Sequence, residues 1–147
     1  MKENYLINII GRQYLTDDKD SIEVTTVGSY SEKNGKRFIM YKEYDSDKPE
    51  DSRTSVIMVE GDDSVTIIRG KPFPSRLILQ SGKRHQCLYS TPAGDLLIGV
   101  FTNKIQSTLT EDGGSLEVSY SLDFNGDLAS ENEFTINIKE KGMITDV

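Results

Sequence analysis

The chain has 147 residues, 35% hydrophobic and 28% charged, which suits one domain spanning 1–147 with a modest core. Its 17 basic against 24 acidic residues leave a formal charge of −7, and no basic stripe interrupts the acidic balance, so nucleic acid and anionic membrane surfaces are disfavoured as partners. The single cysteine, Cys87, rules out an internal disulfide; no apolar run is long enough for a signal segment or a membrane-spanning helix, and cytoplasmic residence is the default expectation.

Apolar and polar residues alternate with period two along most of the chain, which predicts strands and no long helix. The first strands are expected over 5–13, 21–30 and 36–44, the last two joined by a hairpin at Asn34-Gly35. The segment Asp45-Ser46-Asp47-Lys48-Pro49-Glu50-Asp51-Ser52-Arg53 is polar throughout and reads as a loop. Strands over 54–60 and 64–69 follow. A turn centred on Asp62-Asp63 places Met58 opposite Ile67 and Val56 opposite Arg69. Lys71-Pro72-Phe73-Pro74-Ser75 is a stiff connection whose Phe73 reads as a lid or a plug for a barrel end.

Further strands are expected over 76–80, 84–90, 95–103, 104–111, 115–124 and 133–139, with a type I turn at Thr91-Pro92-Ala93-Gly94. Leu116, Val118, Tyr120 and Leu122 share one face of the clearest strand, with Glu117, Ser119 and Ser121 on the other. A type I′ turn at Asp112-Gly113 would pair Leu109 with Leu116, Ser107 with Val118 and Ile105 with Tyr120, all on one face. Consecutive hairpins imply an antiparallel up-and-down meander. Each strand has one apolar face to hide, and closure into an all-β barrel is the simplest way to do so, with a two-sheet sandwich as the alternative.

The chemistry offered by the sequence is sparse. The single histidine, His85, shares a strand face with Cys87 and Tyr89, but residues two apart on a strand sit about 6–7 Å apart, too far for an ideal nucleophile–base hydrogen bond. Asp17-Asp18-Lys19-Asp20 lacks the glycine and bidentate glutamate of a calcium loop and reads as a solvated turn, and no spacing offers zinc a ligand set. Neither a P-loop nor a nucleophile-elbow motif is present. What remains is polar residues among apolar neighbours on predicted inner faces: Arg69, His85, Tyr89 and Tyr120, with Tyr41 beside them. A buried arginine requires an acceptor, either a carboxylate such as Glu43 or Glu60, or an anionic ligand.

Several runs resemble the bacterial YwiB-like family: Tyr89-Ser90-Thr91-Pro92-Ala93-Gly94, Thr102-Asn103-Lys104-Ile105, and Gly114-Ser115-Leu116-Glu117-Val118-Ser119-Tyr120-Ser121-Leu122. The opening Ile22-Glu23-Val24-Thr25-Thr26-Val27-Gly28-Ser29-Tyr30 and the pair of strands from Thr54 to Arg69 are similar too. These are strand and turn signatures. The resemblance implies a lipocalin-like (calycin) β-barrel with a cavity and carries over no catalytic residues. The expected function is therefore a non-enzymatic barrel, without metal or cofactor, that binds a small, partly apolar or anionic ligand through Arg69, His85, Tyr89 and Tyr120. The alternative is a side-chain-filled barrel that acts as an interaction module, by homodimerisation or by binding another protein.

Overall fold

A computed structural model describes residues 4–44, 52–71 and 74–141. Ten antiparallel strands close into one barrel: β1 (Tyr5–Leu15), β2 (Asp18–Lys33), β3 (Lys36–Tyr44), β4 (Ser52–Glu60), β5 (Ser64–Arg69), β6 (Ser75–Gln80), β7 (Arg84–Thr91), β8 (Gly94–Ser107), β9 (Gly113–Phe124) and β10 (Asp127–Glu140). Each strand pairs with its sequence neighbours and β1 closes against β10, which is the expected up-and-down barrel rather than the sandwich. Closure follows from the period-two pattern, since a curled meander buries every apolar face at once.

Two of the expected strands are one. The adjacent segments expected over 95–103 and 104–111 join as one bent strand that ends at Ser107. In the structure β8 runs through, and the register slips between Thr102 and Lys104. The bulge adds one residue, so Thr102 and Ile105 both lie inside although their spacing is odd. The Asp45–Arg53 loop reading is shortened, because Ser52 and Arg53 already pair with Tyr44 and Glu43 as the start of β4; residues 45–51 lie outside the described residues. Phe73 lies outside them too. β10 begins at Asp127, earlier than expected, after an Asn125-Gly126 turn with φ of 54° and 92°. Asn34-Gly35 forms the expected hairpin, with φ of 55° and 78°.

Two registers differ from the sequence reading. Between β4 and β5 the loop holds Gly61, Asp62 and Asp63, with Gly61 at φ 64°, and Glu60 pairs with Ser64. The third loop residue moves the register by one, so Ser55, not Val56, stands opposite Arg69, and Met58 stands opposite Thr66. Between β8 and β9 the turn residues are Glu111 and Asp112: Thr110 N–H donates to Gly113 O at 2.7 Å and Gly113 N–H to Thr110 O at 3.2 Å. The Thr110 hydroxyl also accepts from Asp112 N–H at 3.2 Å, which favours this turn over the expected type I′ one. The register becomes Ser107 opposite Leu116 and Ile105 opposite Val118. A slip of two leaves every side chain on its expected face.

The core lies at the end of the barrel that carries the Asn34-Gly35 and 61–63 turns. Ile7, Ile39, Val65, Leu79, Val100, Leu116 and Val118 are almost completely buried there, and that end is packed shut. Towards the other end the side chains no longer meet, and the barrel opens into a cavity.

Candidate functional site

Register builds the site. Tyr41 stands opposite Ser55, Ser55 opposite Arg69, Arg69 opposite Ser75, and Ser75 opposite Tyr89. Five consecutive strands therefore contribute one continuous polar rung to the inner wall. Below it, towards the packed end, lie Ile57, Ile67 and Leu77; above it Glu43 stands opposite Arg53. Across the barrel Tyr120 on β9 faces inward next to Asn132 on β10, its ring meeting Phe134 edge-on at 6.2 Å.

These residues surround a cavity of about 500 Å³. Its floor and sides are mostly apolar, formed by residues such as Ile9, Ile57, Ile67, Leu77, Ile98 and Ile136. Arg69, Tyr41, Tyr89 and Tyr120 supply its polar wall, and Arg12, Asp20 and Glu133 line it where the longer strands β1, β2 and β10 continue past the rung. The volume lies within the range of small-molecule sites, and so does the composition, apolar with a few convergent polar groups.

Arg69 is incompletely satisfied. Its Nε lies 3.8 Å from Glu43 Oε1, beyond hydrogen-bond range, and this buried atom has no hydrogen-bond partner among the described residues. Glu43 is engaged elsewhere: Arg53 Nε donates to its Oε2 at 2.9 Å, and the Tyr41 hydroxyl lies 3.5 Å from its Oε1. Glu60, the other carboxylate weighed for Arg69, pairs with Lys36 at 3.7 Å. Two guanidiniums thus share one carboxylate, leaving a positive charge at the rung. Burial raises the Tyr41 hydroxyl above its ordinary pKa, with the Glu43 carboxylate adding to the effect and Arg69 opposing it. Burial likewise raises Tyr120, against the pull of Arg69. Both hydroxyls are neutral donors at physiological pH. Neither Tyr89 nor Tyr120 makes a side-chain hydrogen bond among the described residues, so both hydroxyls are available to a ligand.

Of the four residues singled out in the sequence, Arg69, Tyr89 and Tyr120 meet in the cavity and His85 does not. His85 lies on the same strand face as Tyr89 but about 13 Å along β7, towards the packed end. Its Nε2 is 3.0 Å from Gln80 Oε1, a local side-chain contact. Cys87, between them, is buried, and its Sγ accepts the Ile78 N–H at 3.5 Å. Asn132, buried and bonded through Nδ2 to Ser130 Oγ at 3.0 Å, is a site residue that sequence reasoning missed, since it falls just before the strand expected over 133–139. The Asn125-Gly126 pair was the available signal for the longer strand. No cluster of three metal-ligating side chains occurs among the described residues.

No helix among the described residues is long and apolar enough to cross a membrane. Among curated proteins none is similar to this chain. Among solved structures the ywiB protein from Bacillus subtilis is similar, with a TM-score of 0.80 at 19% identity over 92% of this chain and 90% of that one. The likeness to YwiB suggested by the strand and turn motifs therefore holds at the level of the fold. The sequence match to a protein family runs over residues 7–136, from the first strand of the barrel to the last and around the whole cavity wall, and the chain belongs to that family, the domain of unknown function DUF1934.

Proposed function

We propose that this barrel is a binding protein, not an enzyme, and that its ligand is a small amphipathic monoanion held with its head at Arg69 and its apolar body in the cavity. The observation that carries this reading is the Arg69 guanidinium, set in the wall of an apolar cavity with its Nε unpartnered. A carboxylate there would gain charge-assisted hydrogen bonds from Arg69, with the Tyr89 and Tyr120 hydroxyls beside it. The charge count favours a single negative charge. Glu43 neutralises one of two guanidiniums, and at the mouth the carboxylates of Asp20 and Glu133 outnumber the Arg12 guanidinium, so a second ligand charge would meet a net negative rim.

The test is calorimetric titration of the protein with decanoate, decanol and decanedioate. Decanoate should bind, and the other two should bind at least tenfold more weakly. Arg69→Ala should weaken decanoate by about 1.5–3 kcal/mol, the worth of hydrogen bonds to a charged group. Equal binding of decanol and decanoate, or an Arg69→Ala protein that binds as the parent does, would refute the assignment of the head group. No binding of any of the three would refute the cavity as a site for this class.

A further inference from the structure

The barrel is closed, yet one of its strands keeps a long free edge. β2 pairs with β1 from Asp18 opposite Leu15 to Gly28 opposite Tyr5, which takes up all of β1. On its other side β2 pairs with β3 only from Lys33 back to Gly28, where Tyr41 is the last partner. From Val27 to Asp18 no strand lies on that side among the described residues.

The direction of the backbone groups follows from the turns. In a two-residue hairpin the closing pair is hydrogen-bonded, and along an antiparallel strand successive residues bond to opposite sides. Leu15 opposite Asp18 closes the β1–β2 turn, so even-numbered residues of β2 bond to β1. Lys33 opposite Lys36 closes the β2–β3 turn, so odd-numbered residues bond to β3. Past Gly28 the odd residues Val27, Thr25, Glu23, Ser21 and Lys19 therefore direct N–H and C=O groups away from the barrel wall. Every residue from Asp18 to Thr25 is exposed, with Ile22 and Val24 among them at 60% and 46%. A free edge of this length is a template for another strand.

We propose that a second copy of this chain pairs with the edge, β2 against β2, antiparallel about a two-fold axis at Ser21. The charges select both the occupant and the register. Centring on Ser21 places Lys19 of each copy opposite Glu23 of the other, so the strand complements itself twice. Both side chains are on the outer face: Glu23 accepts from Asn8 Nδ2 at 2.9 Å, and Lys19 lies over the Tyr14 ring at 5.9 Å. The inner face sets Asp20 against Ile22, with no like charges meeting. Centring on Glu23 would bring two carboxylates face to face, and centring on Ile22 would leave Lys19 opposite Thr25. Directly opposed residues of unlike charge stabilise a sheet and like charges destabilise it. An isologous strand pair of this kind closes on itself and leaves no edge for growth.

Sedimentation equilibrium of the full chain across a wide concentration range should show a monomer–dimer equilibrium. Lys19→Glu turns both ion pairs into repulsions and should weaken the dimer about tenfold to a hundredfold. Adding Glu23→Lys to it restores the pairing and should restore the dimer. Ser21→Pro removes a backbone donor that faces away from β1 and should abolish dimerisation without lowering the melting temperature of the monomer. Amide exchange at Ser21 should slow as protein concentration rises. A chain that stays monomeric at all concentrations overturns the proposal, as does a charge-swapped double variant that stays dissociated. Protection of Ser21 independent of concentration would mean that the chain covers its own edge, and would overturn it equally.

Discussion

Adding one methyl group at Gly113 should cost far more than adding the same group at Gly35. Both glycines have positive φ, 125° and 78°, so alanine is strained at either position, by about 1–2 kcal/mol. The surroundings differ. At Gly35 a Cβ meets nothing within 4 Å, whereas at Gly113 it would lie 2.5 Å from the Ile138 carbonyl oxygen and 3.2 Å from its carbon. That oxygen belongs to the β10 backbone, which pairs with β9 on one side and β1 on the other and cannot swing away as a side chain could. The collision and the backbone strain together should bring Gly113→Ala to about 2–4 kcal/mol. For a chain of this size each kcal/mol lowers the melting temperature by about 3 °C, so Gly113→Ala should melt about 6–12 °C below the parent and Gly35→Ala about 3–6 °C below it. Thermal denaturation followed by circular dichroism measures both. If the two variants lose the same stability, the close approach of β10 to Gly113 carries no energetic weight and the reasoning fails.

Other outcomes follow from single sites. The Arg84 guanidinium, with Nε and Nη2 donating to Asp123 at 3.0 and 2.7 Å, holds the Asp123 carboxyl below its ordinary pKa, helped by the Gly126 N–H at 3.0 Å. A lowered folded pKa adds stability that is complete above the unfolded value of about 3.9 and lost as pH falls through the folded one, so Asp123→Asn should flatten the acid limb of the stability–pH curve below about pH 4. For Tyr120 the sign is the opposite. Burial raises its pKa, the unfolded chain ionises first, and the stability it contributes is lost as pH rises above about 10; Tyr120→Phe should flatten the alkaline limb in urea titrations. Cys87, 4% exposed and bonded to the Ile78 N–H, should react with a thiol reagent far more slowly in native protein than in denaturant; equal rates would show that the β6–β7 seam opens freely.

Local chemistry is legible in this sequence wherever it repeats. Alternation along 115–122 announces a strand and its inner face, because side chains on a strand can point only two ways. Asn34-Gly35 announces a hairpin, because asparagine and glycine tolerate the positive φ that the turn requires. A chain of such hairpins with apolar inner faces leaves little choice but a curled meander, so the fold class and the inward orientation of Arg69, Tyr89 and Tyr120 could be read without coordinates.

The site and the free edge could not. The rung Tyr41–Ser55–Arg69–Ser75–Tyr89 is the product of four separate registers, and one extra loop residue at Gly61 was enough to replace Val56 by Ser55 opposite Arg69. His85 shows the same limit from another side. Parity placed it on the inner face beside Tyr89, but only closure of the barrel decided how far along the strand the cavity reaches, and it stops short of His85. The open side of β2 depends on where β3 ceases to follow it, beyond Gly28 and Tyr41. Side-chain alternation is set residue by residue along one strand. Register, cavity depth and unpaired edges are set between strands, by the summed lengths of turns and bulges, and those sums exist only once the barrel has closed.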